Sequence, residues 1–319
     1  MNQGRQLLVT GGSGFIGQSL LRKLSLYPEL RLFTLMRGHN PTLPKGIVQI
    51  QGSFLDVSAK AIGLSDIDVV VHTAALIHKT NGSSSNLLSE FRKVNVEGTL
   101  HLARQAAKSG VRRFIFISSI KVNGEFTLPG KPFTAYDQFS PQDFYSVSKC
   151  EAEIGLYSLA EKTGMEVVII RPPLVYGPGV KGNFSSILRI LKKGIPLPLG
   201  AVHNKRSLVA LDNLLDLIVT CIDHPNAANQ TFLAGDGDDL STTELLQRLG
   251  KGLGQSPRLI PIPVGLLTFV AVLLGKRTMA QRLCGSLQVD ISKAREMLDW
   301  VPPITVDEGI RRAVEGFND

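Results

Sequence analysis

Several things are scarce in this sequence of 319 residues, and each shortage excludes a class of protein. There are three cysteines, Cys150, Cys221 and Cys284, an odd number spread far apart with no C-x-x-C pair. That pattern excludes a disulfide framework and the common zinc-finger spacings, and it fits buried thiols in a reducing compartment. No metal site is expected. Aromatic residues make up 6% of the chain, and the 35 lysines and arginines are scattered rather than gathered into runs. Nucleic-acid surfaces combine basic stripes with stacking aromatics, so no nucleic-acid partner is expected. No apolar run approaches the ~20 residues of a spanning helix. The longest, residues 264–274, reads as a buried or interfacial helix, with peripheral membrane attachment the most it would support. The residues before the first apolar run leave no room for a signal peptide, and a cytoplasmic protein is expected.

What is present is a globular chain. Hydrophobic residues are 43% and charged residues 19% of the sequence, enough for one large or two coupled domains. The 35 basic residues against 27 acidic ones leave a net charge of +8. That excess suits an anionic small molecule such as a nucleotide or a sugar nucleotide.

Residues 7–21 read LLVTGGSGFIGQSLL. A short apolar run ends in glycines and an amphipathic run follows, which predicts a buried strand, a tight turn and the start of a helix. Gly12 to Gly17 fit G-x-G-x-x-G, and Gly11, Gly14 and Gly17 fit a second three-residue spacing. Gly11 and Gly12 permit the turn, Gly14 lets a pyrophosphate reach the main chain, and Gly17 lets the helix lie close to its strand. Phe15 and Ile16 open the helix, whose free N–H groups and partial positive charge suit phosphate.

Apolar strands and helical runs then alternate. Strands are predicted at 31–36, 47–51, 68–72, 114–117 and 167–170, with helices at 87–108 and 145–162. That is an α/β fold, a doubly wound parallel sheet of Rossmann type. After residue 170 the composition changes. Helices are predicted at 187–193, 212–224, 241–250 and 292–298, and short strands at 207–211, 230–234 and 287–289. Ser241 and Glu244 form a capping box for the third of these helices. The expected division is a dinucleotide-binding domain at 1–171, to which 207–235 returns, and a smaller mixed α/β substrate domain at 172–206 and 236–319.

Two further stretches bear on a cofactor. The residue that reads the ribose should stand at the end of the second strand. Arg37 stands there and no carboxylate does. A guanidinium suits a 2′-phosphate, so NADP(H) is favoured over NAD(H). Asp56 is placed to accept from the adenine amino group. His72 is followed by Thr73, Ala74 and Ala75, small residues that would let a cofactor lie against the backbone. For chemistry, Tyr145 and Lys149 are four apart on one helical face, and Ser118 and Ser119 close the fifth strand. Tyr145 beside Lys149 and a cationic nicotinamide should have a lowered pKa and exchange a proton with a sugar oxygen while hydride moves at the same carbon. Ser119 would orient that oxygen, and Lys149 would also hold the nicotinamide ribose.

These pieces resemble the extended short-chain dehydrogenases/reductases, in the group of nucleotide-sugar epimerases and dehydratases. The matching motifs run nearly end to end: TGGSGFIG, HTAA, NVEGT, SSIKVNG, YSVSK, RPPLVYGPG, RSLVALDN and DISKAREMLDW. The resemblance implies that Asn95 supports the network around Lys149 and that Pro172 borders the cofactor. It implies that Asn183, Arg206 and Arg282 hold a nucleotide diphosphate, and that His78 and Lys121 face the sugar. It further implies a homodimer through the helices at 87–108 and 145–162, with Ile154, Tyr157 and Ala160 contributing.

Departures from the family pattern narrow the chemistry. Sugar 4,6-dehydratases carry Asp after the catalytic Ser/Thr, and here Ile120 and Lys121 follow Ser119. The acid that would protonate a leaving hydroxyl is missing, which argues against dehydration. SSIKVNGE and VKGNF resemble the UDP-N-acetylquinovosamine-forming reductases. The expected activity is NADPH-dependent reduction of the C4 ketone of a UDP-linked 4-keto-6-deoxy-N-acetylhexosamine for surface-polysaccharide synthesis. The alternatives are a UDP-hexose 4-epimerase with retained NAD and, with Tyr145 and Lys149 against it, a non-catalytic dinucleotide-binding regulator.

Overall fold

The computed structural model describes residues 5–55, 58, 62–77, 84–128, 130–180 and 182–318. Seven parallel strands make one sheet: β1 (Arg5–Thr10), β2 (Leu30–Met36), β3 (Val48–Gln51), β4 (Val69–His72), β5 (Arg113–Ile117), β6 (Glu166–Arg171) and, late in the chain, Thr231–Leu233. Their order is β3-β2-β1-β4-β5-β6 with Thr231–Leu233 at the far edge. The chain therefore winds outward in both directions from the gap between β1 and β4. In doubly wound sheets that reversal opens a crevice at the carboxyl ends of the strands.

The strands are apolar on both faces because helices cover both sides. Their period of two divides them between two cores. Leu7, Val9, Val69, Val71, Ile115, Ile117, Val168 and Ile170 face one core with helix α1 (Phe15–Leu24). Leu8, Val70, Phe114, Phe116, Val167 and Ile169 face the other, with α3 (Thr99–Lys108) and α4 (Phe144–Thr163).

The helical run predicted at 87–108 has an interruption. Helix α2 (Ser84–Arg92) passes into a π-helical turn, Lys93–Gly98, before α3 begins. Helix α4 has a firm start. The Asp143 carboxylate accepts from Ser146 N at 2.7 Å, and the Ser146 hydroxyl accepts from Asp143 N at 3.0 Å, a reciprocal pair that satisfies two otherwise orphan N–H groups. Gly164, at φ +75°, closes it.

Beyond β6, strand β7 (Leu174–Tyr176) pairs in parallel with β8 (Leu208–Ala210) in a separate two-stranded sheet. Helix α5 (Asn183–Lys192) lies between them in sequence. Helix α6 (Leu211–Asp223) returns to the main sheet beside α1, and β9 (Thr231–Leu233) pairs with β6. A third core gathers Tyr176, Phe184, Leu188, Leu208, Leu246 and Leu249 with Ile310 and Val314, from α7 (Thr242–Gly252) and the last helix, Val306–Asn318. Ser241 and Glu244 form the predicted capping box.

Two expectations of local structure are corrected, at residues 287–289 and at Cys284, and one left open between a buried and an interfacial setting is narrowed. Residues 287–289 form isolated bridges, Arg206 to Leu287 and Phe133 to Val289, rather than a strand of a sheet. The apolar stretch is helix α8 (Val264–Leu273), but none of its residues is buried. Cys150 and Cys221 are buried as expected, whereas Cys284, on α9 (Arg277–Cys284), is half-buried.

Candidate active site

The glycine loop joins β1 to α1 at the carboxyl edge of the sheet. Gly11 has φ +76°, and a Cβ there would meet Thr73 Oγ1 at 2.6 Å and Ala74 N at 2.8 Å. A Cβ on Gly17 would press into the Gly11 carbonyl and stand 2.7 Å from Thr73 Oγ1. Glycine is required here because two backbone segments touch. Thr73 Oγ1 donates to Thr10 O at 2.7 Å, tying the segment after β4 to β1. Gly14 is exposed at the N-cap of α1, and no side chain caps the helix. The first-turn N–H groups of Phe15, Ile16 and Gly17 thus face a bare backbone cradle. That arrangement fits the pyrophosphate of a dinucleotide. Ala74 and Ala75 are half-buried beside it. Arg37 is exposed just past β2, at the same edge. Pro172 is buried just past β6, and its carbonyl accepts from Ile120 N at 2.9 Å.

His72 closes β4 and is fully buried. Its Nδ1 meets Thr10 Oγ1 at 2.7 Å and its Nε2 meets Thr99 Oγ1 at 2.9 Å. The ring also lies against Phe54, Phe114 and Phe116. Burial, and then the charge of Lys149, push its pKa down to about 3. It is therefore a neutral structural imidazole that joins two strands and α3.

Ser119 and Tyr145 come together, and Lys149 lies on the same helix as Tyr145. Ser119 follows β5, and its hydroxyl hydrogen-bonds the Tyr145 side chain. Lys149 lies one turn along α4, 1% exposed, with Nζ 4.1 Å from the centre of the Phe116 ring. Burial lowers its pKa to about 7, against the opposing charge of Glu153. The lowering expected for Tyr145 is that beside a cationic nicotinamide; the protein's own groups act the other way, since burial and the nearby Asp143 charge raise its pKa and the Ser119 bond offsets only part of this. The protein's own groups thus keep the phenol protonated, in the state that donates a proton.

Asn95 sits in the π-helical turn, 1% exposed. It reaches Ser148 rather than Lys149 directly: its amide N donates to Ser148 Oγ at 2.9 Å and to Leu76 O at 3.0 Å, while its Oδ1 accepts from Leu76 N at 2.8 Å. Lys121, expected to face the sugar, holds Asp143 at 2.6 Å and Glu125 at 3.2 Å instead. Glu125 also meets Arg282 at 3.5 Å, and Arg206 Nη1 donates to Arg282 O at 2.9 Å. The two arginines expected to hold a diphosphate are thus adjacent and linked through Glu125 and Lys121 to the cap of α4. Asp56 and His78 lie outside the described residues, and so does the side chain of Asn183, the first residue of α5.

One residue set escaped the sequence reading. Arg171, at the end of β6, is ion-paired with the fully buried Glu153 of α4 at 2.6 Å, and its Nη1 donates to Asn123 Oδ1 at 3.0 Å. This buried group clamps α4 to β6 and to the turn after Ser119. The signal available was an arginine and a glutamate each set in an apolar run.

Comparison with known proteins agrees with this geometry. A family model described as the NAD dependent epimerase/dehydratase family matches residues 7–235. The chain belongs to this family. It is 46% identical over 314 residues to a UDP-glucose 4-epimerase of Vibrio cholerae, covering 98% of this chain and 95% of that one. Among solved structures, UDP-glucuronic acid 4-epimerase from Bacillus cereus, in complex with NAD, superposes with a TM-score of 0.79 at 20% identity, over 98% of both chains. UDP-glucose 4-epimerase from Thermotoga maritima, with UDP-glucose, gives 0.78 at 23% identity, also over 98% of both chains.

Proposed function

We propose that this enzyme moves hydride at C4 of a UDP-linked sugar, with Tyr145 exchanging the proton of the C4 oxygen, Ser119 orienting that oxygen and Lys149 setting the charge beside them. The observation that carries the reading is the Ser119–Tyr145 pair, with Lys149 one turn along the helix of Tyr145, at the same sheet edge as the glycine cradle. A nicotinamide cofactor, when bound, supplies the site that gives or takes hydride. Gly11, Gly14, Phe15, Ile16, Gly17, Thr73, Ala74, Ala75 and Pro172 form its bed, and Asp56 would accept from its adenine. Arg206 and Arg282, with Asn183, would hold the diphosphate of the sugar nucleotide. His78 and Lys121 would stand toward the sugar, Lys121 by exchanging one of its carboxylate partners.

For the net reaction we assign reduction of a UDP-linked 4-keto-6-deoxy-N-acetylhexosamine by NADPH. Arg37 supports this, because an exposed guanidinium at the β2 end, with no carboxylate beside it in sequence, suits a 2′-phosphate. A second reading, UDP-hexose 4-epimerase with retained NAD, is supported by the 46% identity to the Vibrio cholerae protein of that name. The absence of Asp after Ser119 speaks against dehydration under either reading. A homodimer through α2, α3 and α4 belongs to the same proposal. Ile154 is 53% exposed on that face, while Tyr157 is turned inward to Thr231 and packs in the core with Ala160.

The deciding experiment offers the purified enzyme UDP-sugars and UDP-4-keto sugars with each cofactor. Stoichiometric NADPH oxidation with a UDP-4-keto sugar supports reduction. Copurified NAD, with interconversion of C4 epimers and no net cofactor use, replaces it with epimerisation. Tyr145→Phe should abolish turnover in either case and leave cofactor affinity nearly unchanged, and surviving turnover would overturn the acid/base role. Arg37→Asp should weaken NADPH far more than NADH.

A further inference from the structure

Helix α8 is unusual for a surface element. Its ten residues, VGLLTFVAVL, include one polar side chain, Thr268, whose hydroxyl is occupied by the Val264 carbonyl at 2.8 Å. Apolar residues face outward around it: Leu266 is 53% exposed, Phe269 61% and Leu273 70%. Leu274 and Met279, just beyond, are also exposed. Val264, Leu267, Thr268 and Ala271 are half-buried at i, i+3, i+4 and i+7 and turn one face to the protein, so the opposite face is an outward apolar stripe.

Charge selects the occupant. From Lys251 to Val289 the sequence contains no Asp or Glu, and it contains Lys251, Arg258, Lys276, Arg277 and Arg282. Arg282 is paired with Glu125 of another element. Lys276 and Arg277 are exposed and follow the helix after Leu274 and Gly275. We infer that α8 and its basic flank dock this protein onto the surface of an anionic lipid bilayer. The helix is about 15 Å long, half the hydrocarbon thickness, and among the described residues no helix is long and apolar enough to cross a membrane. The helix therefore enters the headgroup boundary, with the stems of Lys276 and Arg277 reaching back to the phosphates. A second copy of the chain fits less well, since a two-fold contact would set these cations against their own copies with no acid in the segment to offset them.

Co-sedimentation of the purified full-length protein with vesicles tests this. Vesicles of phosphatidylglycerol and phosphatidylcholine should carry the protein down at low salt, and phosphatidylcholine alone, or high salt, should not. Phe269→Ser with Leu273→Ser should lower the partition coefficient by about tenfold or more. Lys276→Gln with Arg277→Gln should lower it about 25-fold, at roughly fivefold per charge. Circular dichroism and cofactor binding should match the parent in both variants, since neither pair touches the catalytic residues. Binding that ignores these substitutions, or no binding to anionic vesicles, overturns the inference. So does a dimer in sedimentation velocity that the serine variant dissociates, because a second copy would then cover this face.

Discussion

Acidification should weaken this fold through His72. Its imidazole is fully buried, held by Thr10 and Thr99 at 2.7 and 2.9 Å, and its pKa falls from 6.5 to about 3. Between those two values the unfolded chain binds a proton at His72 and the folded chain does not. Stability from this group is therefore complete above pH 6.5 and is lost as pH falls toward 3. At 1.36 kcal/mol per pH unit the full loss is about 5 kcal/mol, and near pH 4.5 it is about 3 kcal/mol. Against a total of about 5–15 kcal/mol for a folded domain, that is a large share. Carboxylates titrate in the same range, so the contribution must be isolated with a variant. His72→Gln cannot titrate and should cost about 1–3 kcal/mol near neutral pH through lost hydrogen bonds. Urea unfolding of both proteins near pH 7.5 and near pH 4.5 gives the comparison. The parent's advantage should shrink by about 3 kcal/mol at the lower pH, enough to cancel or reverse it. An advantage that stays constant to within about 0.5 kcal/mol would refute the reasoning, because His72 would then be taking up its proton without unfolding.

Other perturbations separate the remaining parts. Glu153→Ala strands the Arg171 guanidinium in the core and should cost about 3–5 kcal/mol in urea unfolding, whereas Glu153→Leu with Arg171→Met should recover most of it. A double variant as weak as the single one would mean that the pair, not desolvation, sets the cost. Gly17→Ala should lower stability by about 1–3 kcal/mol through overpacking and sharply weaken cofactor binding. Gly265→Ala, in α8 with open space around the new Cβ, should raise stability by about 0.5–1 kcal/mol. Equal effects of the two in thermal and cofactor titrations would discredit the close-contact argument. Lys149 has a folded pKa of about 7 against an ordinary 10.5, so it sheds its proton in the folded protein first and its charge at the site is lost as pH rises through 7. The value of kcat/KM should fall through that range, and a profile flat from about pH 6 to 9 would remove Lys149 from the charge balance.

Much of this fold is legible in the chain because its signals are local and agree with one another. Val69 to Val71 must be a doubly covered strand, and the glycines must be the turn that follows β1, since each pattern has one cheap conformation. The Tyr145–Lys149 pair is equally plain, as the capped helix brings i and i+4 together. What stayed hidden depended on partners distant in sequence. β7 lies in a turn-rich stretch and becomes a strand because β8 pairs with it. The burial of Arg171 and Glu153 is invisible until β6 and α4 are packed. The protein's own effect on the Tyr145 pKa is hidden for a related reason: a charge count along one helix face sees Lys149, whereas the desolvation and the Asp143 charge come from the surrounding structure.

The π-helical turn shows why one such residue matters. A regular helix through residues 87–108 would have continued with one hydrogen-bond pattern, and the i→i+5 turn at Lys93–Gly98 interrupts it. Asn95 lies within that turn, between the backbone after β4 and α4. Three bonds converge there, one received from Leu76 N and two given to Leu76 O and Ser148 Oγ. Ser148 Oγ in turn donates to Tyr145 O. An amide supplies that set, an acceptor with two donors, and a carboxylate or a hydroxyl does not. Asn95→Asp keeps the shape and loses both donors, leaving an acid facing the Leu76 carbonyl. The segment after β4, Thr73 to Leu76, would then lose its tie to α4. Because that segment also packs on Gly11 and Gly17, the consequence should reach the cofactor cradle as well as Tyr145. Cofactor affinity and turnover should therefore fall together in this variant, in contrast to Tyr145→Phe, where only turnover falls.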